Sequence, residues 1–178
     1  SCIVEDNKHN LWIGTSDGGL NYYDNASQLY KNYLFNSGNL DVPFKDIKTV
    51  YVDEVQDRIY VGAHAGGMMV LHRKSGYIEY YNRHNSNLPS NNIYSIISDG
   101  YGGLWVASLE YLLHFDIDKR NFTIVDVDED GHKLQQYNRL LFCDSKKRIW
   151  AGGEMGISVF NQTLYRLAKN AFSFLSLH

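Results

Sequence analysis

Proline is nearly missing from this 178-residue chain, which has only Pro43 and Pro89. Cysteine is as sparse, with Cys2 and Cys143 alone, too few for a disulfide framework. No sign of charge dominates. Seventeen Lys and Arg against twenty Asp and Glu leave a net charge of −3, so the basic footprint of a nucleic-acid-binding domain is absent. No apolar run approaches the ~20 residues of a membrane-crossing helix. The opening Cys2-Ile3-Val4 reads as a strand and not as a leader peptide. Apolar residues at i, i+3, i+4 and i+7 are nowhere sustained at helical length. What remains is a chain with 44% apolar and 21% charged residues, the balance of a globular domain and not of a disordered one. Fifteen glycines and fourteen tyrosines point to strands and tight turns.

The chain repeats itself. Leu11-Trp12-Ile13-Gly14-Thr15 recurs as Ile59-Tyr60-Val61-Gly62-Ala63, as Leu104-Trp105-Val106-Ala107-Ser108 and as Ile149-Trp150-Ala151-Gly152-Gly153. The aromatic positions are spaced 48, 45 and 45 residues apart. Upstream of each stands an aspartate, Asp6, Asp53, Asp99 and Asp144, at offsets of 6, 7, 6 and 6. Downstream come Gly18-Gly19-Leu20, Gly66-Gly67-Met68 and Gly156-Ile157, a register that the third repeat breaks with Glu110-Tyr111-Leu112. Val42-Pro43 and Leu88-Pro89 keep the same period.

Within the third repeat the segments 93–98, 103–107, 111–116 and 121–125 are short, β-branched or aromatic, and bounded by Gly, Asp and Asn. That predicts strands joined by hairpins. Four strands per repeat predict an all-β chain of β-propeller blades, four four-stranded antiparallel meanders that make a partial propeller or a small ring. The blades fall at about 1–41, 42–88, 89–134 and 135–178. The fourth blade's outer strand is expected at residues 163–167, with 172–177 as the alternative.

Such sheets must stack face to face. Trp12, Tyr60, Trp105 and Trp150 are then wedges between blades, each removing about 150–250 Å² from water, or about 4–6 kcal/mol gross at about 25 cal/mol per Å². Gly14, Gly62, Ala107 and Gly152 lie two residues on, on the same face, and leave room for the neighbouring sheet. Asp6, Asp53, Asp99 and Asp144 end inner strands and bond the N–H groups of the following turn. These repeat positions are structural.

The run from Ile3-Val4-Glu5-Asp6 through Leu11-Trp12-Ile13-Gly14-Thr15 to Gly18-Gly19-Leu20-Asn21-Tyr22-Tyr23-Asp24, with the linker Asn87-Leu88-Pro89-Ser90-Asn91-Asn92-Ile93, resembles the two-component regulator propeller repeat. The resemblance is weaker where Tyr60 replaces Trp and where Glu154-Met155 stands in place of glycine. It implies the periplasmic sensor region of a hybrid two-component histidine kinase, of the kind common in gut Bacteroidetes. There, propellers precede a β-sandwich, a membrane helix and a kinase core, and the ligands are usually polysaccharide breakdown products. On that reading the chain is a piece of a longer inner-membrane sensor. It is not itself an enzyme, needs no cofactor and touches the membrane only through other parts of its parent. Its expected partners are an oligosaccharide and, through exposed blade faces, further blades or a second copy. A structural or protein-binding propeller without a small ligand is the alternative, and a propeller glycosidase or lyase a more distant one.

A ligand site is expected on loops between second and third strands and between blades, because loops on a rigid scaffold carry specificity. Residues that depart from the repeat there are Asp17, His64, Glu110, Tyr111 and Glu154, with Arg83, His84, Asn85 and Asn87 of one inter-blade loop. Aromatic faces beside Asn, Asp and Arg suit sugar rings; the plain alternative is solvated loop residues. Asp126-Val127-Asp128-Glu129-Asp130-Gly131 begins like an EF-hand loop, but Tyr137 stands where a bidentate Glu is needed, so no metal is expected. His72 and His114 align with each other on the third strand of adjacent repeats and read as packing residues.

Overall fold

The computed structural model describes residues 1–33, 44–126, 128, 130, 134, 138–154 and 156–166. Val42-Pro43, most of the EF-hand-like loop, Tyr137, His132, Met155 and the 172–177 segment lie outside the described residues. The described strands form four antiparallel sheets, each a meander. The first sheet holds β1 (Cys2–Glu5), β2 (Leu11–Gly14), β3 (Leu20–Asp24) and β4 (Leu29–Asn32). The second holds β5 (Ile47–Asp53), β6 (Arg58–Ala63), β7 (Gly67–His72) and β8 (Ile78–Tyr81). The third holds β9 (Ile93–Ser98), β10 (Gly103–Ser108), β11 (Leu112–Asp116) and β12 (Asn121–Val125). The fourth holds β13 (Asn138–Cys143), β14 (Arg148–Gly153) and β15 (Gly156–Asn161). Within each sheet the strands neighbour one another in chain order.

The hairpin turns recur with the repeat. His9, Asp57, Gly102 and Lys147 occupy the same turn position in the four sheets, and all have positive φ, of 62°, 57°, 92° and 61°. Only one of them is glycine, because the preceding aspartate's Oδ1 fixes the turn. Asp6 accepts the Lys8 and Asn10 N–H groups, Asp99 those of Tyr101 and Gly103, and Asp144 those of Lys146 and Arg148. Asp53 accepts those of Val55 and Gln56. Each carboxylate satisfies two turn N–H groups that would otherwise need water.

The chain divides into two compact units, Ser1–Ile96 and Ile97–His178. In the first, the face of β2 that carries Trp12 packs on the second sheet. Trp12 is 1% exposed within a core of Ile47, Val50, Ile59, Val61 and Leu71. A Cβ on Gly14 would sit 2.4 Å from Ile47 Cγ2, and one on Gly62 2.5 Å from Ile93 Cγ2. These contacts fix how closely one sheet approaches the next. In the second unit Trp105 is wholly buried with Leu112, Val125, Ile149 and Phe160.

Two expectations need correction. Residues 162–166 form a helical turn and not an outer strand, so the fourth sheet has three strands among the described residues. The cause is local: Asn161 Oδ1 accepts the Thr163 and Leu164 N–H groups as a helix cap does. Tyr165 then packs 5.6 Å from Trp105, ring to ring, and Gln162 Oε1 accepts the Trp105 indole N–H at 2.8 Å. The second correction concerns the histidines. His114 pairs across from Trp105, whereas His72 pairs with Arg58 at the end of its strand, so the two are not equivalent.

Candidate functional site

In the first unit the second-to-third-strand loops and the inter-sheet linkers are stitched into one rim. Thr15 accepts the Ile47 N–H through its carbonyl at 2.8 Å, and Gly19 N–H donates to the Lys45 carbonyl at 3.1 Å. The next loop continues the pattern. His64 N–H donates to the Asp46 carbonyl at 2.9 Å and Ala65 N–H to Asn92 Oδ1 at 2.8 Å. Gly67 N–H reaches the Asn91 carbonyl, and Asn91 Oδ1 accepts the Arg83 N–H at 2.9 Å. His84 N–H donates to Asn82 Oδ1. Backbone bonds thus hold the loops while leaving Asp17, His64, Arg83, His84, Asn85 and Asn87 exposed.

The rim contains a residue that the repeat pattern does not flag. Asp46 Oδ2 lies 2.8 Å from Lys48 Nζ and 3.9 Å from His64 Nδ1. Its Oδ1 is buried without a hydrogen-bond partner among the described residues. A buried carboxylate oxygen in that state calls for a donor from solvent or ligand. Nothing in the sequence marks Asp46, since it precedes β5 in a linker.

A cleft of about 240 Å³ opens elsewhere in the same unit, lined among others by Trp12, Tyr22, Tyr33, Asp57, Arg73 and Lys74. The Tyr22 and Tyr33 rings stand 4.6 Å and 5.5 Å from Trp12. Burial raises the Tyr22 phenol, helped by the Asp24 and Asp6 charges, so it stays a hydrogen-bond donor at neutral pH. Arg73 spans the two sheets. Its Nε donates to Asp57 at 2.7 Å, one terminal nitrogen to Glu54 at 2.6 Å and the other to Asp6 at 3.4 Å. Burial alone would raise Asp6, but the bonds from Asn10, Lys8 and Trp12 outweigh it and hold the carboxyl low.

The aspartates of the repeat do more than cap turns. Asp6 Oδ2 accepts the Trp12 indole N–H at 3.3 Å, and Asp144 Oδ2 that of Trp150 at 3.0 Å. Asp99 instead accepts from His114 Nε2 at 2.9 Å and from Arg166 at 3.3 Å. Burial would raise the Asp99 carboxyl; the His114 bond and the two turn N–H groups reverse that and depress it.

Glu110, Tyr111 and Glu154 belong to the second unit. Glu110 is exposed beside Tyr111, whose carbonyl accepts the Ser108 N–H at 2.9 Å. Glu154 is exposed and paired with Arg139. Among the described residues no cluster of His, Cys, Asp and Glu could hold a metal ion. Cys2 and Cys143 are free thiols, and burial pushes the Cys2 thiol up.

The sequence signature of the two component regulator propeller matches residues 1–17 and 87–110. Histidine kinase P4 of Formosa agariphila is 29% identical over 137 residues, 75% of this chain and 10% of that protein. The extracellular domain of one putative hybrid two-component system from B. thetaiotaomicron is 24% identical with a TM-score of 0.71, over 89% of this chain and 22% of that one. A second such domain from the same organism is 19% identical with a TM-score of 0.70, over 90% and 20%. PorZ, a surface component of the type-IX secretion system of Porphyromonas gingivalis, is 15% identical with a TM-score of 0.64, over 92% and 26%. The chain therefore spans between 10% and 26% of the length of these relatives, and its likeness to the solved structures is one of fold.

Proposed function

We propose that this chain, which carries two component regulator propeller repeats, is a ligand-receiving segment of the sensor region of a hybrid two-component histidine kinase. The whole-protein function rests on the match of its repeats and on the kinase that it resembles over three quarters of its length. Extracellular domains with the same fold support a periplasmic position, and no helix among the described residues is long and apolar enough to cross a membrane. The chain itself is a non-catalytic receiver in this reading.

The ligand is an oligosaccharide held at the first unit's rim. The observation that carries this is the Asp46 Oδ1 that has no partner among the described residues, set beside His64 and Lys48. Sugar hydroxyls are donors of the right size, and exposed histidine supplies an edge for the ring. Binding that favours one arrangement of the propeller would bias the attached kinase. Calorimetric titration with a panel of plant and microbial oligosaccharides tests the reading. Heat from one glycan, reduced tenfold or more by Asp46→Asn or His64→Ala, supports it. Silence from every glycan favours a scaffold without a small ligand. Turnover lost in Glu110→Gln or Glu154→Gln would move the chain to the enzymes. The aromatic cleft is the second reading for the same ligand class, favoured by the Tyr22 and Tyr33 rings, and a loss confined to Tyr33→Ala would select it.

A further inference from the structure

We infer that the aromatic cleft of the first unit takes an anionic sugar residue, one whose ring carries a carboxylate or a sulfate ester. This rests on the oligosaccharide reading above and names the class of sugar that the cleft selects. The acceptors lining the cleft are already engaged. Asp6 Oδ1 takes the Lys8 and Asn10 N–H groups, and its Oδ2 takes Asn10 Nδ2, the Trp12 indole and Arg73. Asn10 Oδ1 accepts the Asn25 N–H at 3.0 Å, and Asp57 Oδ1 accepts Arg73 Nε at 2.7 Å. Arg73 is held in the same clasp, with each of its nitrogens on a carboxylate. Asp24, whose charge also reaches Tyr22, is tied to the Ala26 and Ser27 N–H groups of its own turn.

The donors are in the opposite state. Lys8, Tyr22, Tyr33 and Lys74 line the cleft, and none of their ammonium or hydroxyl groups meets an acceptor among the described residues. A neutral sugar hydroxyl is satisfied by partners of both kinds. A cleft with its acceptors engaged and its donors open matches a group that only accepts. Carboxylate and sulfate are such groups, and charge-assisted bonds to them are roughly twice as strong as neutral ones. Charge is layered in the same sense. The Asp6 side chain is 2% exposed and that of Arg73 15%, whereas Lys8 and Lys74 are exposed. Lys31 adds a third cation, its Nζ 4.3 Å from the centroid of the Tyr33 ring. An entering ligand therefore meets lysines first, and the acids beneath are held by Arg73. The Tyr22 and Tyr33 rings, inclined at 80° to each other, supply an apolar wall for the sugar's C–H face.

Calorimetric titration of the full chain tests this, with oligogalacturonates and oligoalginates as carboxylate sources and sulfated carrageenan oligosaccharides as the sulfate source. Neutral xylo- and galacto-oligosaccharides of similar length are the comparison. The expected result is binding of one charged class, at least about tenfold tighter than any neutral glycan, and weakening as salt rises from about 50 to about 500 mM. Which charged class binds tells carboxylate from sulfate. The double variant K8M/K74M should lose at least about tenfold in affinity, K8R/K74R should keep it, and Tyr33→Phe should weaken it without touching the ring. Far-UV circular dichroism confirms that each variant is folded. Charged-glycan affinity unchanged in K8M/K74M would overturn the inference. A neutral glycan bound as tightly as any charged one would overturn it while leaving the oligosaccharide reading in place. Silence from every glycan would overturn both.

Discussion

The three tryptophans occupy one repeat position but three surroundings, and mutation should separate them. Trp12 and Trp105 are buried by an adjoining sheet or by Phe160 and Tyr165, whereas Trp150 is half-buried beneath Arg148. Trp12→Ala and Trp105→Ala should each cost about 3–5 kcal/mol, and Trp150→Ala less than half as much, read by urea denaturation. The glycines divide in the same way. Gly62→Ala should destabilise by about 1–3 kcal/mol through overpacking against Ile93. Gly152→Ala, with open space ahead of it, should be neutral or stabilise by up to about 1 kcal/mol. Asp99 sets an acid limit. Its carboxyl is depressed in the folded state, so its contribution is complete above the unfolded value of about 3.9. That contribution is lost as pH falls through the lower folded value. The thermal midpoint of Asp99→Asn should therefore be lower at neutral pH, and its decline below about pH 4 shallower than in the parent.

At the level of strands and turns, sequence reading did well where the repeat spoke twice. The four strands of the third repeat match the expected segments to within a residue at each end, because Asn92, Asp99, Gly103, Asp116, Asn121 and Asp126 mark most of their borders. The aspartates were legible as turn caps; their second oxygen's bond to the indole was not, since an offset of six residues carries meaning only once the hairpin register is known. The fourth sheet's last segment misled for a different reason. Residues 163–167 follow β15 closely enough for a tight turn and an outer strand, but Asn161 caps a helical turn and Trp105 recruits Gln162 and Tyr165. Asn161→Ala should cost about 1 kcal/mol and raise exchange of the Leu164 amide. Arg73 clasps two sheets through three carboxylates. Arg73→Met should destabilise by about 1–3 kcal/mol, because it leaves Asp6, Glu54 and Asp57 without the cation they share; chemical denaturation of the variant checks this.

Over the molecule as a whole, burial is uneven. Five of the six β6 residues and all of β10 are buried, while three of the four β4 residues and three of the six β15 residues are exposed. Repeat proteins lose order first where a unit has fewest neighbours. Hydrogen exchange should accordingly run fastest in β4 and β15 and slowest in β6 and β10. Uniform protection across the four sheets would contradict the picture of sheets stabilised by stacking.

The sequence by itself determined the repeat, the strands within it, the turn aspartates and the wedge positions, because each is written as a residue type at a fixed spacing. Tertiary structure alone decided which wedges are covered, which glycines are crowded and where, among the described residues, Asp46 keeps an oxygen without a partner. Those properties belong to pairs of surfaces and not to residues. Identical letters at identical spacing, Gly14 and Gly152 among them, acquire different physics according to whether a neighbouring sheet lies against them.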